Sequence, residues 1–427
     1  MEQPLETEIE ALFRREAGRL ISVLTRIFGP HNLTLAEDVV QESFVAAMSA
    51  WSENGVPDNP GAWLLTAARN RAIDAIRRER TRRTFADDLT KYLDSEWTLR
   101  STVDEAFGGD RACGDWARDD QLRMIFMCCH ERLTPTNRLT LILKTLCGLG
   151  VPAIARALLT TEPAVNKRLY RTRRELEGVA FALPGADELP AALETVHQVL
   201  YLVFNEGYLS TGDEPVRRDL CRDAMFLAKL VVDAPDLSTS DTVALLALMC
   251  FGAARLDARV DGEGRLIPLD RQDRALWDRA LIRQGFAYLA RSADMDRVRA
   301  GPYHLEAAIA SRHCSAASFE DTDWTSICHL YDRLIEVQAS PVAELNRAVA
   351  ISYRDGPDAA LPLVEAIREA GRLPHGPAVA AVLANLYSRA GSTELARRYL
   401  DEALARVGTD HERRLIELQF EAAGRSA

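Results

Sequence analysis

An all-α protein of more than one domain is the fold class that the sequence predicts, and three observations predict it. At 427 residues the chain exceeds what a single hydrophobic core usually organises. Its composition, 47% hydrophobic and 27% charged with alanine, leucine, arginine and glutamate dominant, favours helices over sheets on propensity. Glycine and proline punctuate apolar stretches whose spacing is helical rather than alternating.

The net charge of -11 argues against nucleic acid on average, because phosphate binding rests on Lys and Arg. The average conceals two basic runs, one from Arg77 to Arg83 and one from Lys167 to Arg174, while acid is spread over the rest. A chain of this kind can bind DNA locally and resist it elsewhere. The amino-terminal MEQPLETEIEALF lacks a basic segment followed by an apolar one, and no run is long enough to span a bilayer. A cytoplasmic location without membrane association is expected. The eight cysteines are scattered through apolar helical stretches. Cys128-Cys129-His130 suggests a metal site, but adjacent helical cysteines point about 100° apart and no CxxC or HxxxH follows. Core packing is favoured, with neither metal nor cofactor expected.

Periodicity fades between about 85 and 120, where Asp-Asp and Gly-Gly pairs accumulate; this reads as an acidic linker. The run from Leu183 to Pro190, with two prolines and a glycine, stops one helix and starts another. Three blocks follow, about 1–84, 121–182 and 190–427.

In the first block Asn59 is a capping side chain with Pro60 at the first helical position, and a helix is expected to about Arg78. Leu65, Ala68, Ala72 and Ile76 form its apolar stripe, while Trp63, Thr66, Asn70, Asp74 and Arg77 share another face. An indole on a polar face fits either a Trp packed on a neighbouring helix or a base-stacking platform. The pattern alone favours packing.

The second block holds a short helix within 149–159, a turn at Thr160-Thr161, and a helix starting at Glu162 or Pro163: a helix-turn-helix. Val165, Leu169, Thr172 and Leu176 make the inward stripe of its second helix. Lys167, Arg171 and Arg174 form an outer row at i, i+4 and i+7, with Asn166 and Tyr170 beside it. A charge-rich solvated face is the bland alternative. Cations with no acid among them until Glu175 favour a phosphate-contacting and base-reading face.

The third block is helical throughout. From Leu383, the residues Leu383, Ala384, Tyr387, Gly391, Ala396, Leu400 and Ala403 fall at the offsets of a tetratricopeptide repeat, and a looser copy begins at Leu345. Two copies do not close a solenoid, so helices between Leu193 and Val337 must supply the neighbours. Asn205, Glu206, Asp270, Asp273, Asp321, Asp323 and His329 offer polar groups that a ligand pocket could use. With no nucleophile elbow, P-loop or HExxH, helix caps and hydrogen-bond partners are the favoured reading, and no enzymatic activity is expected.

The order of these blocks resembles an extracytoplasmic-function (group 4) sigma factor of the sigma-70 family, reduced to regions two and four. Ala36 to Phe44 resembles the segment that grips the β′ clamp helices of core RNA polymerase, which implies Asp38, Gln41 and Glu42 as contacts. Asn59 to Leu64 and Arg69 to Arg78 are similar to the regions that melt and read the −10 element. Leu133 to Leu176 follows the region-four pattern without a gap. Two positions depart: the usual Ser or Thr cap is Gly150, and the usual Leu-Gly turn is Leu158-Leu159. The third block resembles the tetratricopeptide-like extension carried by some of these factors, through Leu202 to Tyr208, Leu269 to Leu281, Gly301-Pro302-Tyr303 and Asp321 to Trp324.

The resemblance implies that Trp63 wedges at the upstream edge of the promoter bubble. Asn70 and Arg71 then lie near the captured strand, and Arg77, Arg78, Arg80 and Arg82 track its phosphates. It implies that Glu162, Asn166 and Lys167 enter the major groove of the −35 element, with Tyr170, Arg171 and Arg174 alongside. The implied partners are core polymerase, through the β′ clamp helices and the β flap, and promoter DNA. The extension is implied to regulate the factor and to receive a protein partner or signal. Asp38, Gln41 and Glu42 also fit an acidic helix start that complements the helix dipole. The other functional class is a helix-turn-helix regulator with a protein- or ligand-binding domain, which has no use for Trp63 or the Asp38 to Glu42 patch.

Overall fold

Among the described residues the only β pairing is one antiparallel bridge, Val260 with Leu266, and all other regular structure is helical. The computed structural model describes residues 16–18, 20–25, 28, 33–82, 120–176, 183–212, 214–296, 300–373 and 376–425, with backbone alone at 76–82, 120 and 424–425. The stretch expected as an acidic linker lies outside these residues, save its last. Two compact units make up the chain, one of Met1–Ile154 with Thr161–Val199, the other of Ala155–Thr160 with Leu200–Ala427.

In the first unit, helix α1 (Leu33–Asn54) buries Leu33, Ala36, Val39, Val40, Phe44, Ala47 and Trp51, a stripe at three- and four-residue steps. Gly55 ends it in the left-handed region at φ 78°, its N–H reaching the Trp51 carbonyl at 2.9 Å. Helix α2 (Pro60–Arg82) starts as expected: Asn59 Oδ1 accepts from the Ala62 N–H at 3.0 Å, and Pro60 is the first helical residue. It runs one turn beyond Arg78. Ala68 and Ala72 of the expected stripe are buried, together with Leu64, Ala67, Ile73 and Ala75, while Leu65 is half-buried. Helix α2 packs on α1.

Helix α3 (Asp120–Met127) leads into α4 (Pro135–Thr145), capped by the Thr134 hydroxyl, which accepts from the Asn137 N–H at 3.3 Å. Cys128 and Cys129 are buried, and Cys129 Sγ donates to the Ile125 carbonyl at 3.3 Å. Burial pushes the Cys129 thiol up to about 12, so it behaves as a core group. Among the described residues no cluster of His, Cys, Asp or Glu is arranged to hold a metal ion. Gly18 lies against the end of α4 so closely that a Cβ there would sit 1.8 Å from the Leu146 carbonyl oxygen. Gln121 Nε2 donates to the same oxygen at 3.0 Å.

Gly150 begins α5 (Val151–Ala157) with its backbone carbonyl, which accepts from the Ile154 N–H at 3.1 Å. Leu159, where the family turn carries Gly, takes φ 49° and is the one non-glycine residue in the left-handed region among those described. Helix α6 (Glu162–Glu175) then starts from an extended Thr161 and packs on α4. Leu183 to Glu188 forms the expected break before α7 (Leu189–Tyr208), with the Gly185 N–H donating to Glu188 Oε2 at 3.0 Å.

The second unit is a succession of helices: α8 (Arg218–Asp233), α9 (Ser240–Ala253), α10 (Arg279–Met295), α11 (Pro302–Ser315), α12 (Trp324–Val337), α13 (Pro341–Arg354), α14 (Pro357–Glu369), α15 (Ala378–Arg389), α16 (Thr393–Leu404) and α17 (Asp410–Arg425). Most helices pack on the next, and α9 on α11 and α15 on α17 also meet across an intervening helix. The apolar interior is a chain of neighbouring clusters: Phe251 with Trp277 and Ile282, then Leu305 with Ile327 and Leu334, then Leu345 with Val364 and Leu383. Between α15 and α16, Leu383, Ala384, Ala396 and Ala403 are buried, and Tyr387 stacks on Tyr399 with centroids 5.5 Å apart. Gly391 (φ 77°) turns this hairpin and Gly356 (φ 96°) turns the one between α13 and α14.

Candidate nucleic-acid interface

Helix α6 divides cleanly. Val165, Leu169 and Thr172, followed by Leu176, are buried, while Glu162, Asn166, Lys167, Tyr170, Arg171 and Arg174 are exposed, Tyr170 at 65%. The Arg174 guanidinium lies 5.9 Å from the Tyr170 ring. Neither Lys167 nor Arg171 forms an ion pair with a described residue, so the outer row faces solvent as a line of uncompensated cations.

Arg173, in the same basic run, behaves differently. Its Nη2 meets the Glu37 carboxylate at 3.2 Å, and the Thr145 hydroxyl donates to Glu37 Oε1 at 2.9 Å. Beside them burial lowers the Lys144 pKa, with Arg173 adding to the effect. Glu37 therefore joins α1 to the ends of α4 and α6 within the first unit. Sequence reading missed this pair, because Arg173 looks like one more cation of the run and its partner is 136 residues away.

On α2, Trp63 is half-buried and meets Trp51 edge to face, with centroids 5.5 Å apart at 69°. The indole thus packs partly on α1, and the rest of the side chain is open to solvent. Asn70, two turns on, is exposed. Arg71 turns toward α1, 3.9 Å from Glu42. Arg77, Arg78, Arg80 and Arg82 continue the helix, but their side chains lie outside the described residues.

Asp38, Gln41 and Glu42 line an open groove with Val45, Ser49, Glu53 and Arg71. Because α1 begins at Leu33, Asp38 lies past its first turn, which removes the helix-dipole account of this patch. Val45 and Met48, exposed at 62% and 45%, add an apolar component that sequence reading did not single out. Their spacing from Gln41 carries the signal.

The polar residues of the extension do not converge. Asp273 and Asp323 cap helical turns, accepting from the Ala275 and Ser326 N–H groups. Glu206 accepts from the Thr211 N–H, and Asp321 from the Ser318 hydroxyl.

Residues 12–82 match the family described as Sigma-70 region 2, residues 123–176 the one described as Sigma-70, region 4, and residues 192–293 a family of unknown function, DUF6596. The two exposed surfaces thus fall in two sigma-70 regions. An uncharacterized protein of Rhizobium meliloti is 36% identical over 410 residues, covering 94% of this chain and 92% of its own. The probable ECF RNA polymerase sigma factor SigI of Mycobacterium tuberculosis is 28% identical over 48% of this chain and 64% of its own length. The ECF RNA polymerase sigma factor SigG of the same organism is 27% identical over 39% and 46%. The chain spans less than two thirds of either sigma factor. Residues 12–82 and 123–176 thus carry sigma-70 regions 2 and 4, and the chain is similar over these parts to ECF RNA polymerase sigma factors. No solved structure matches it. No helix among the described residues is long and apolar enough to cross a membrane.

Proposed function

We propose that this protein binds core RNA polymerase and directs promoter-specific initiation, and that its carboxy-terminal extension is a tetratricopeptide-like superhelix that regulates it. The observation that carries the reading is the outer row of α6, where Lys167, Arg171 and Arg174 stand exposed without a carboxylate while the opposite stripe is buried. In this reading α6 enters the major groove of the −35 element and its cations contact phosphates. Trp63 and Asn70 receive bases of the opened −10 element, and the Asp38 to Glu42 groove with Val45 docks on the polymerase clamp. The hairpins of α13–α14 and α15–α16 support a repeat architecture. Polymerase supplies the catalysis, so the factor needs no enzymatic group of its own.

Run-off transcription with core polymerase tests the proposal. The full-length chain is expected to give a promoter-specific transcript. Replacing Lys167 and Arg171 by Ala should weaken promoter binding and lower the salt-dependence slope by about one unit per lost phosphate contact. Tight DNA binding that never supports initiation would favour the plain helix-turn-helix regulator, and an unchanged slope would reject the assigned face. Trp63→Ala should impair strand opening, seen by permanganate reactivity, more than polymerase association.

A further inference from the structure

The second unit contains a row of cations that has no part in the surfaces described above. Arg259 lies 3.8 Å over the Tyr208 ring, Arg255 5.7 Å from the same ring and 5.6 Å from Trp277, and Arg274 4.6 Å from Trp277 on its other flank. The sequence Arg259, Tyr208, Arg255, Trp277, Arg274 is thus a continuous ladder of guanidinium groups and rings. It draws together the end of α7, the segment after α9 and the turn before α10, and it abuts His313 on α11.

The three guanidiniums are half-buried, yet none forms an ion pair with a carboxylate among the described residues. Their hydrogen bonds go to neutral acceptors: Arg259 to the Tyr208 carbonyl, Arg255 to the Gln272 amide, and Arg274 to the His313 and Ala316 carbonyls. Elsewhere in the same unit Arg347 pairs with Asp332 and Arg372 with Glu344. The Glu320 carboxylate acts on Arg274 through space without forming an ion pair with it. Burial, with Arg255 and Arg274 beside it, lowers His313 to about 4 and keeps it neutral.

A second observation points the same way. Four buried polar atoms meet at the ladder without a protein partner: the Tyr208 hydroxyl, Arg274 Nη2, Trp277 Nε1 and His313 Nδ1. Three of the four belong to groups that donate. Buried donors are ordinarily satisfied, so their concentration beside three guanidiniums without an ion pair leaves an unmet demand for an acceptor. Cation–π stacking holds the guanidiniums in fixed planes, which lowers the ordering cost of a bound anion.

We propose that the Arg259–Arg255–Arg274 ladder is a binding site for a small, multiply charged oxyanion of the phosphoryl class. Three fixed positive charges suit a ligand carrying two or more negative ones, and a tetrahedral phosphoryl group accepts from several directions at once. The site lies within the second unit and does not depend on the assignment of the promoter and polymerase surfaces.

Calorimetric titration of the full-length protein with pyrophosphate at physiological salt tests this. One saturable site is expected. Arg255→Gln and Arg274→Gln should each weaken it by at least about tenfold, as removal of a charge-assisted donor does. Arg265→Gln should leave it unchanged, since that exposed guanidinium is paired with Asp261 outside the ladder. Absence of a saturable site, equal weakening by Arg265→Gln, or tighter binding of citrate than of pyrophosphate would overturn the proposal. Should the glutamine variants fail to fold, Trp277→Phe keeps a ring in the ladder. Pyrophosphate should then change the intrinsic fluorescence of the wild type and not of this variant, and an equal change in both would overturn the assignment.

Discussion

Leu159→Gly should stabilise the helix-turn-helix. Leu159 holds φ 49° in the turn between α5 and α6, with the following Thr160 N–H bonded to the Ala155 carbonyl at 2.9 Å. A side chain in this region crowds the backbone and costs about 1–2 kcal/mol. Glycine relieves that strain but loses about 0.5–1 kcal/mol more conformational entropy on folding. The Leu159 side chain is 55% exposed, so little apolar burial is lost. The net gain is about 0.5–1 kcal/mol, a two- to fivefold slowing of local opening. Hydrogen exchange of the full-length protein reads it directly at the Leu159 and Thr160 amides and in the first turn of α6. Leu159→Ala separates the causes, because it removes the side chain while keeping the strained φ, and should show no gain. Equal or faster exchange in the glycine variant, or the same slowing in the alanine variant, would refute backbone strain as the origin.

Gly18→Ala forces a Cβ onto the Leu146 carbonyl, a backbone atom that no rotamer change can move, so denaturant unfolding should show a loss of about 1–3 kcal/mol. Unchanged stability would mean that the 16–25 segment does not lie on α4. Glu306 on α11 faces the Tyr201, Tyr303 and Tyr331 rings, and burial raises its pKa to about 7, with the Tyr201 hydroxyl as its hydrogen-bond partner. The raised carboxyl favours the folded state fully below its ordinary pKa, and that contribution is lost as the pH climbs through about 7. Glu306→Gln should therefore raise the melting temperature at pH 8, by about 1–2 kcal/mol of stability, and change it little at pH 5. An equal effect at both pH values would reject the shifted carboxyl.

Local chemistry was the legible part of this chain. Asn59-Pro60 marks a helix start because the cap and the helix it starts are neighbours in sequence, and the inward stripe of α6 follows from its period. The α2 stripe was read correctly at Ala68 and Ala72 but at Leu65 in place of Leu64, since both leucines fit a helical repeat and only the position of α1 chooses between them. Pairings over long separations carried no signal. Glu37 with Arg173, or Tyr208 with Arg255 and Arg259, joins residues that ordinary helix periodicity does not relate. The acidic residues of the extension were legible as a set and not as individuals. Asp273 and Asp323 become caps because helical turns happen to begin beside them.

Charge counts alone would have misled here, and pairing corrects them. A guanidinium beside a carboxylate has its field largely cancelled within a few ångströms, so Arg347 and Arg372, which line a cavity in the second unit, offer little to an incoming anion. Arg173 is removed from the basic face of α6 in the same way by Glu37. Among the cations that form no ion pair with a described residue are the exposed row of α6 and the half-buried ladder around Arg255. The two differ in the property that selects a ligand. The row is open to solvent, so salt screens it and it suits an extended polyanion that contributes many phosphates at once. The ladder is half-buried among rings, where screening is weaker. One acidic chain thus carries two anion-attracting surfaces of different reach, and ionic strength distinguishes them. Raising the salt concentration should abolish promoter binding well before it releases pyrophosphate from the ladder.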